Sequence, residues 1–312
     1  MFRMPTLTTV VALLLFSLPT IRAEVSLEKT AEGVAVKIDG QPFAEYVTKS
    51  GSKPILWPII GPGGKRLTRN WPMEKDVPGE TDHDHIHQRS LWFTHGDVNG
   101  IDFWSEGKGR IEHREFVRVE SGPEAVIVTR NDWLSPDGSK TVCQDERTIR
   151  FGGTPDRRWI DFDVVIHATS GPVVFGDTKE GSFGVRMASA LRVDSKEGGE
   201  IVNSERKTNA AAWGKPAAWV DYHGPLDGDM VGIAIMNHPS SYGFPSHWHV
   251  RTYGLFAANP FGLNDFTGGA TKGGYTLAAG EKLHLRYRVL LHQGDAETGH
   301  VADAFAEFAK SK

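Results

Sequence analysis

The chain has 312 residues, 39% hydrophobic and 10% aromatic, enough to bury a sizeable core in one large domain or two small ones. Its formal charge is −4 at pH 7, from 35 Lys and Arg against 39 Asp and Glu, and it has no basic stripe, which excludes the surface a nucleic-acid partner needs. A single cysteine, Cys143, excludes an intramolecular disulfide and a thiolate zinc site, so stability rests on the core.

The first predicted element is a targeting segment. Arg3 supplies a positive start, Val10 to Pro19 an apolar stretch, and "TIRA" ends on the small residue Ala23. Residues 1–23 therefore read as a secretory signal peptide cleaved before Glu24, with an uncleaved anchor helix as the alternative. The apolar run is shorter than the roughly 20 residues of a membrane helix. No other stretch reads as a span, so the mature chain is expected to have none. An exported chain without disulfides suits a bacterial periplasm or secretion.

Residues 24–312 read as a single domain dominated by strands. "GVAVKIDG" (33–40) alternates and ends in Asp-Gly, a hairpin signal. Residues 116–120 and 125–134 form two strands joined across Ser121-Gly122-Pro123. Residues 141–151 and 158–168 repeat the period of two, the latter placing Ile160, Phe162, Val164 and Ile166 on one face. "MVGIAIMNHP" (230–239) and "KLHLRYRVLLHQG" (282–294) continue the pattern. The tail, 295–312, is the one convincing helix, with Val301, Ala304, Phe305 and Phe308 on its apolar face. Many strands, one terminal helix and no alternation of strand with helix predict an all-β fold, a large antiparallel β-sandwich.

Three polar clusters interrupt this pattern. "TDHDHIHQRSLWFTHGDVNG" (81–100) holds four histidines and three aspartates. If it is extended, His83, His85 and His87 point to one side, with Arg89 and Trp92 following. That pattern admits three readings. His85 and His87 could hold a divalent ion (zinc, iron or manganese) with a third ligand such as Glu180 or His249. They could move protons without a metal, because imidazole titrates near neutrality. Or they could be hydrogen-bonded loop residues. The second cluster, "GDTKEGSFGVRM" (176–187), sets Glu180 beside Lys179 and upstream of Arg186, which suits an ionised base, nucleophile or ligand as well as a surface turn. In the third, 238–262, His247, His249, Arg251 and Tyr253 would share one strand face, a composition typical of a pocket, followed by an ordered loop with Asn259. Trp213, Trp219, Tyr222 and His223 add aromatic and polar groups of the kind that bind sugars, or else core. No Gly-x-Ser-x-Gly and no phosphate loop is present.

Several of these motifs resemble a bacterial family of PmoA-like proteins, sometimes labelled "methane oxygenase PmoA". The resemblance rests on residues 84–104, 177–187, 219–225 and 238–262 and on "YRVLLHQG" (287–294). Asp84, His85, His87 and Arg89 match its Asp-His-Pro-His-His-Arg pattern, while Ile86 and Gln88 depart. The label does not suit a mature chain without membrane spans. The family's members resemble secreted carbohydrate-handling proteins, and "LRYRVLLHQG" (285–294) followed by a helix is similar to the last strand of galactose-mutarotase-like β-sandwiches. These resemblances imply a sugar or glycoside as partner. The resulting expectation is an exported hydrolase, lyase or epimerase with no cofactor. His85, His87, Glu180 and His249 would be its acid–base groups, and Arg89, Trp92, Lys179, Arg186, His247, Arg251, Tyr253 and Asn259 would bind substrate. A metal-dependent enzyme using His85, His87 and Glu180, and a non-catalytic carbohydrate-binding protein, are the alternatives.

Overall fold

Alternating apolar side chains need a second apolar layer to cover them. The chain supplies it by laying two eight-stranded antiparallel sheets against each other. The computed structural model describes residues 23–80 and 82–311, so the expected signal peptide lies outside the described residues except for Ala23. In chain order the strands are β1 (Val25–Lys29), β2 (Gly33–Ile38), β3 (Gln41–Ser50), β4 (Lys53–Ile59), β5 (Leu91–His95), β6 (Arg110–Glu120), β7 (Ala125–Leu134), β8 (Thr141–Gly153) and β9 (Arg157–His167). They continue with β10 (Val173–Phe175), β11 (Gly181–Arg186), β12 (Glu200–Asn203), β13 (Trp219–Leu226), β14 (Asp229–Asn237), β15 (His247–Val250), β16 (Leu255–Asn259), β17 (Tyr275–Leu277) and β18 (Lys282–Gln293). Sheet I runs β1-β2-β3-β4-β5-β11-β16-β15, and sheet II runs β12-β13-β14-β18-β9-β8-β7-β6. Strands β10 and β17 form a separate ribbon. The all-β sandwich expected from the sequence is the observed architecture.

The expected inward face of β9 is the real one. Ile160, Phe162, Val164 and Ile166 are all buried in the core shared by the two sheets. Phe162 meets Phe183 of sheet I with ring centroids 5.0 Å apart, and Phe183 stacks on Tyr287 at 4.6 Å. Burial of a phenylalanine stabilises by about 1.5–3 kcal/mol, so such contacts bind the layers. The tail helix is shorter than its sequence suggests. It spans α2 (Val301–Phe308), because Asp295 holds 295–298 in a turn by accepting from the backbone of Glu297 and Thr298. Val301, Ala304 and Phe308 pack on Ala234, Met236 and Leu290 of sheet II. A single-turn helix, α1 (Leu263–Phe266), follows β16.

A buried ion pair sits inside this core. Arg147 on β8 is 1% exposed and donates twice to Asp145, at 3.0 and 2.9 Å. Asn131 and Trp133 donate to the same carboxylate at 2.6 and 2.7 Å. The guanidinium lies over Phe93 and Phe162. Removing one partner of such a pair strands the other charge away from water. Asp145→Ala is expected to cost about 3–5 kcal/mol in urea unfolding, and Asp145→Asn less. A loss under about 1 kcal/mol would show that water reaches Arg147.

Candidate functional site

The outer face of sheet I, turned away from the core, carries the groups singled out by the sequence. Strand register aligns Trp92 on β5, Gly184 on β11, Ala257 on β16 and His249 on β15 in one row. At about 4.8 Å between neighbouring strands, the ends of this row are roughly 14 Å apart. The middle of the row is small for a reason. A Cβ at Gly184 would meet the Trp92 ring at 2.8 Å, so glycine lets the indole lie across β11. Trp92 packs with Val47, Ile55, Trp104, Leu255 and Ala257, and with Trp57, Met73 and Tyr253 at the margin, in an apolar patch separate from the main core.

Along β11, across that row, the C-terminal end carries Arg186, 1% exposed. Its guanidinium donates to the side chains of Gln88 and Asp84, the latter at 3.0 Å, and lies over the Tyr253 ring at 4.8 Å. Arg69, also fully buried, donates to Asp84 at 2.7 Å and to the backbone carbonyls of Asp84, His85 and Gln88. The two arginines thus draw the 82–88 segment onto the sheet. Asp84 is half exposed and also bonds Nδ1 of His85 at 2.6 Å. Burial pushes the Asp84 carboxyl up, but Arg186, His85 and Arg69 together hold it below its ordinary value. His85 stacks on Tyr253 with centroids 5.2 Å apart, and its ring is 5.7 Å from that of His87. His87 packs beside Trp104, and burial, reinforced by the nearby Lys53 charge, pushes it down to about 4. Lys53, fully buried, is itself pushed down to about 8 by burial.

At the other end, the 177–180 segment delivers Glu180. Asn259 anchors that segment by donating to the Thr178 carbonyl at 2.9 Å, and Asp265 accepts from the Lys179 backbone at 2.9 Å. Glu180, about one-third exposed, is 4.0 Å from Nδ1 of His249 and forms an ion pair with Lys179 at 3.3 Å. His249 is nearly fully buried, and burial, then Arg251 and Lys179, pushes it down to about 3. Its contact with Glu180 is therefore between a carboxylate and a neutral imidazole, not a salt bridge.

The structure corrects several expectations. Residues 82–90 form a loop rather than a strand, with His85 at a φ of 42°. His83 stacks on Trp71 while His85 stacks on Tyr253, so the three histidines do not share a side. Strand β15 ends at Val250; Arg251 turns out to solvent over Trp213, and Tyr253 belongs to the turn that reaches His85. Arg89 is committed to Glu106 and Ser50, at 3.0 and 3.1 Å. Asn259 is an anchor, and His247 stacks on Phe266. Among the described residues no hydrogen bond or ion pair joins Glu180 to His85 or His87, and no group of three or more His, Cys, Asp or Glu side chains is placed to hold a metal ion. The set His85, His87, Glu180 is therefore not assembled. Trp219 packs toward α2 and Tyr222 lies in the core. Sequence reasoning missed Arg69, Lys53 and Trp104, which stand outside any histidine cluster or, for Trp104, at its far edge. It also gave no role to Gln88, which binds Arg186.

One property of this face bears on ligands. Buried polar groups without a partner are rare. Here the indole N–H groups of Trp57, Trp92 and Trp104, the Nε atoms of Arg69 and Arg186, and Nδ1 of His249 all lack one. Apart from the imidazole nitrogen, all are donors. A direct check of the electrostatics is available at His249. Its NMR ring signals should stay those of a neutral imidazole from about pH 8 down to about pH 5. Titration near neutrality would mean the site is open to water.

Among the described residues, no helix is long and apolar enough to cross a membrane. No curated protein matches the sequence. A beta-arabinopyranosidase of known structure aligns at 10% identity and a TM-score of 0.35, over 89% of this chain and 39% of that one. The alpha-galactosidase from Lactobacillus brevis aligns at 10% identity and a TM-score of 0.40, over 87% and 39%. The chain spans about two fifths of the length of either, and similarity this remote does not bear on activity. The resemblance to PmoA-like proteins is overturned, because the family model that matches is a different one. With that model covering residues 33–306, the chain belongs to the family of unknown function DUF6807.

Proposed function

We propose that this protein is a carbohydrate-active enzyme whose acid–base groups lie on the outer face of sheet I. The observation that carries this reading is the gathering of unpartnered buried donors, aromatic rings and two histidine–carboxylate pairs on that one face. Sugars offer many acceptor oxygens to such donors. Glu180 serves as the general base. It is set 4.0 Å from His249, a distance that a substrate hydroxyl or one water can bridge. His249, neutral at physiological pH, can give the proton of its one N–H to the substrate while its other ring nitrogen takes one up. His85, held by Asp84 through Nδ1, stands with Arg186 at the opposite end of the face, where its other nitrogen can bind a hydroxyl of the same substrate. Hydrolysis, elimination and epimerisation all use an acid and a base in this way.

A binding module would instead display a shallow aromatic platform. Trp92 and Trp104 are 1% and 2% exposed, beneath other side chains, which favours the enzyme. The reading extends to a single domain of residues 24–312, exported to the periplasm or beyond once residues 1–23 are removed.

The test is turnover on a panel of glycosides and oxidised sugars. Glu180→Gln and His249→Gln should fold normally and lose about 10²–10⁴ in rate on whichever substrate the native chain turns over. Retained turnover in both variants, or sugar binding without turnover by the native protein, would overturn the enzymatic reading.

A further inference from the structure

Sheet II carries a further histidine–carboxylate group that the proposed activity does not use. Register places His223 of β13 opposite Gly232 of β14, and Gly232 opposite His292 of β18. A Cβ at Gly232 would lie 2.7 Å from the His292 ring and 2.8 Å from His223, so the glycine lets both rings approach across three strands. Asp221, fully buried, joins them. Its Oδ2 is 2.6 Å from Nδ1 of His223, and its Oδ1 is 2.8 Å from Nε2 of His292. The other ring nitrogen of His292 lies 3.2 Å from the carbonyl oxygen of Gln293. Both neighbours of His292 are acceptors. A neutral imidazole has one N–H and satisfies one of them; an imidazolium satisfies both.

This ring also supports the chain that follows it. A Cβ at Gly299 would be 2.2 Å from Nδ1 of His292, so the 294–300 turn closes directly over the imidazole. That turn leads into α2, which covers the outer face of sheet II through Val301, Ala304 and Phe308. We propose that the Asp221–His292 pair is a proton-operated latch: the protonated ring pins the 294–300 turn and the start of α2 to sheet II, and loss of the proton frees that segment.

Asp221 and Asp295 favour the proton on His292, and Asp221 and, from β12, Glu200 favour it on His223. Against them stand His292, which opposes the proton on His223, and Arg157 of β9, opposite His292 in register and lining the same cavity with Asp303 and Glu307 of α2. Burial pulls both histidines down, yet the carboxylates outweigh it and hold both above their ordinary value. Stability from a raised histidine is fully present below its unfolded value and is lost as pH rises through the folded one. The latch therefore opens toward alkaline pH.

Two measurements test this. Nitrogen-15 NMR of the full chain at about pH 6 should show both ring nitrogens of His292 protonated. Hydrogen exchange, corrected for intrinsic rates and referenced to β9, should show protection over residues 294–308 falling about tenfold between about pH 6 and about pH 9. His292→Gln should abolish that pH dependence. An unprotonated His292 nitrogen at the lower pH, or the same exchange profile in native and His292→Gln protein, would overturn the latch. If the variant does not fold, the NMR of the native protein decides by itself.

Discussion

A guanidinium cannot be taken out of water without a partner, and the outer face of sheet I is organised by that constraint. Arg186 is on β11 at the middle of the sheet, 1% exposed. Nothing on its own strand can neutralise it. Its partners, Asp84 and Gln88, come from a segment about a hundred residues earlier in the chain, and the same segment satisfies Arg69 through its backbone carbonyls. A loop rich in histidine and aspartate would otherwise stay solvated. Two buried charges convert it into an ordered wall, with His85 clamped between Asp84 and Tyr253.

The sheet beneath that wall is shaped by what it lacks. Gly184 and Ala257 keep the central row low, so the Trp92 indole and its neighbours fill the space from the side. The result is an apolar patch that is also rich in N–H donors. A hydrocarbon ligand would leave those donors as they are, whereas an oxygen-rich one that reached them would gain about 1 kcal/mol for each one paired. Packing and polarity on this face thus favour the same ligand chemistry, although they arise from different residues.

Period-two patterning survives folding because it reports a local geometry, and β9 kept every inward residue assigned to it. The 81–87 stretch shows why the same logic failed there. Its alternate histidines looked like a strand face, but no neighbouring strand offers a ladder, and the backbone carbonyls are bound by Arg69 instead. The choice between ladder and guanidinium depends on a residue at position 69 that no local pattern marks. The same holds for Arg251 and Tyr253: a hairpin turn, closed by the Arg251 backbone to Leu255, ends the alternation after Val250. Glu180 lies 4.0 Å from His249 because it immediately precedes β11, which pairs with β16, and β16 pairs in turn with β15, the strand that carries His249.

Histidine is the residue on which composition alone says least, and this chain shows the physical reason. His95 and His249 are buried and His87 half-buried, none with a carboxylate that binds it closely, and desolvation pushes them to about 4, 3 and 4. His223 and His292 are buried too, but each bonds Asp221, and both are raised. One carboxylate within 3 Å reverses the sign of the shift, because its attraction for the proton grows in the same low dielectric that makes burial costly. Imidazoles without such a carboxylate stay neutral, each with one N–H to donate and one nitrogen to accept. Those that share Asp221 hold theirs and become part of the framework.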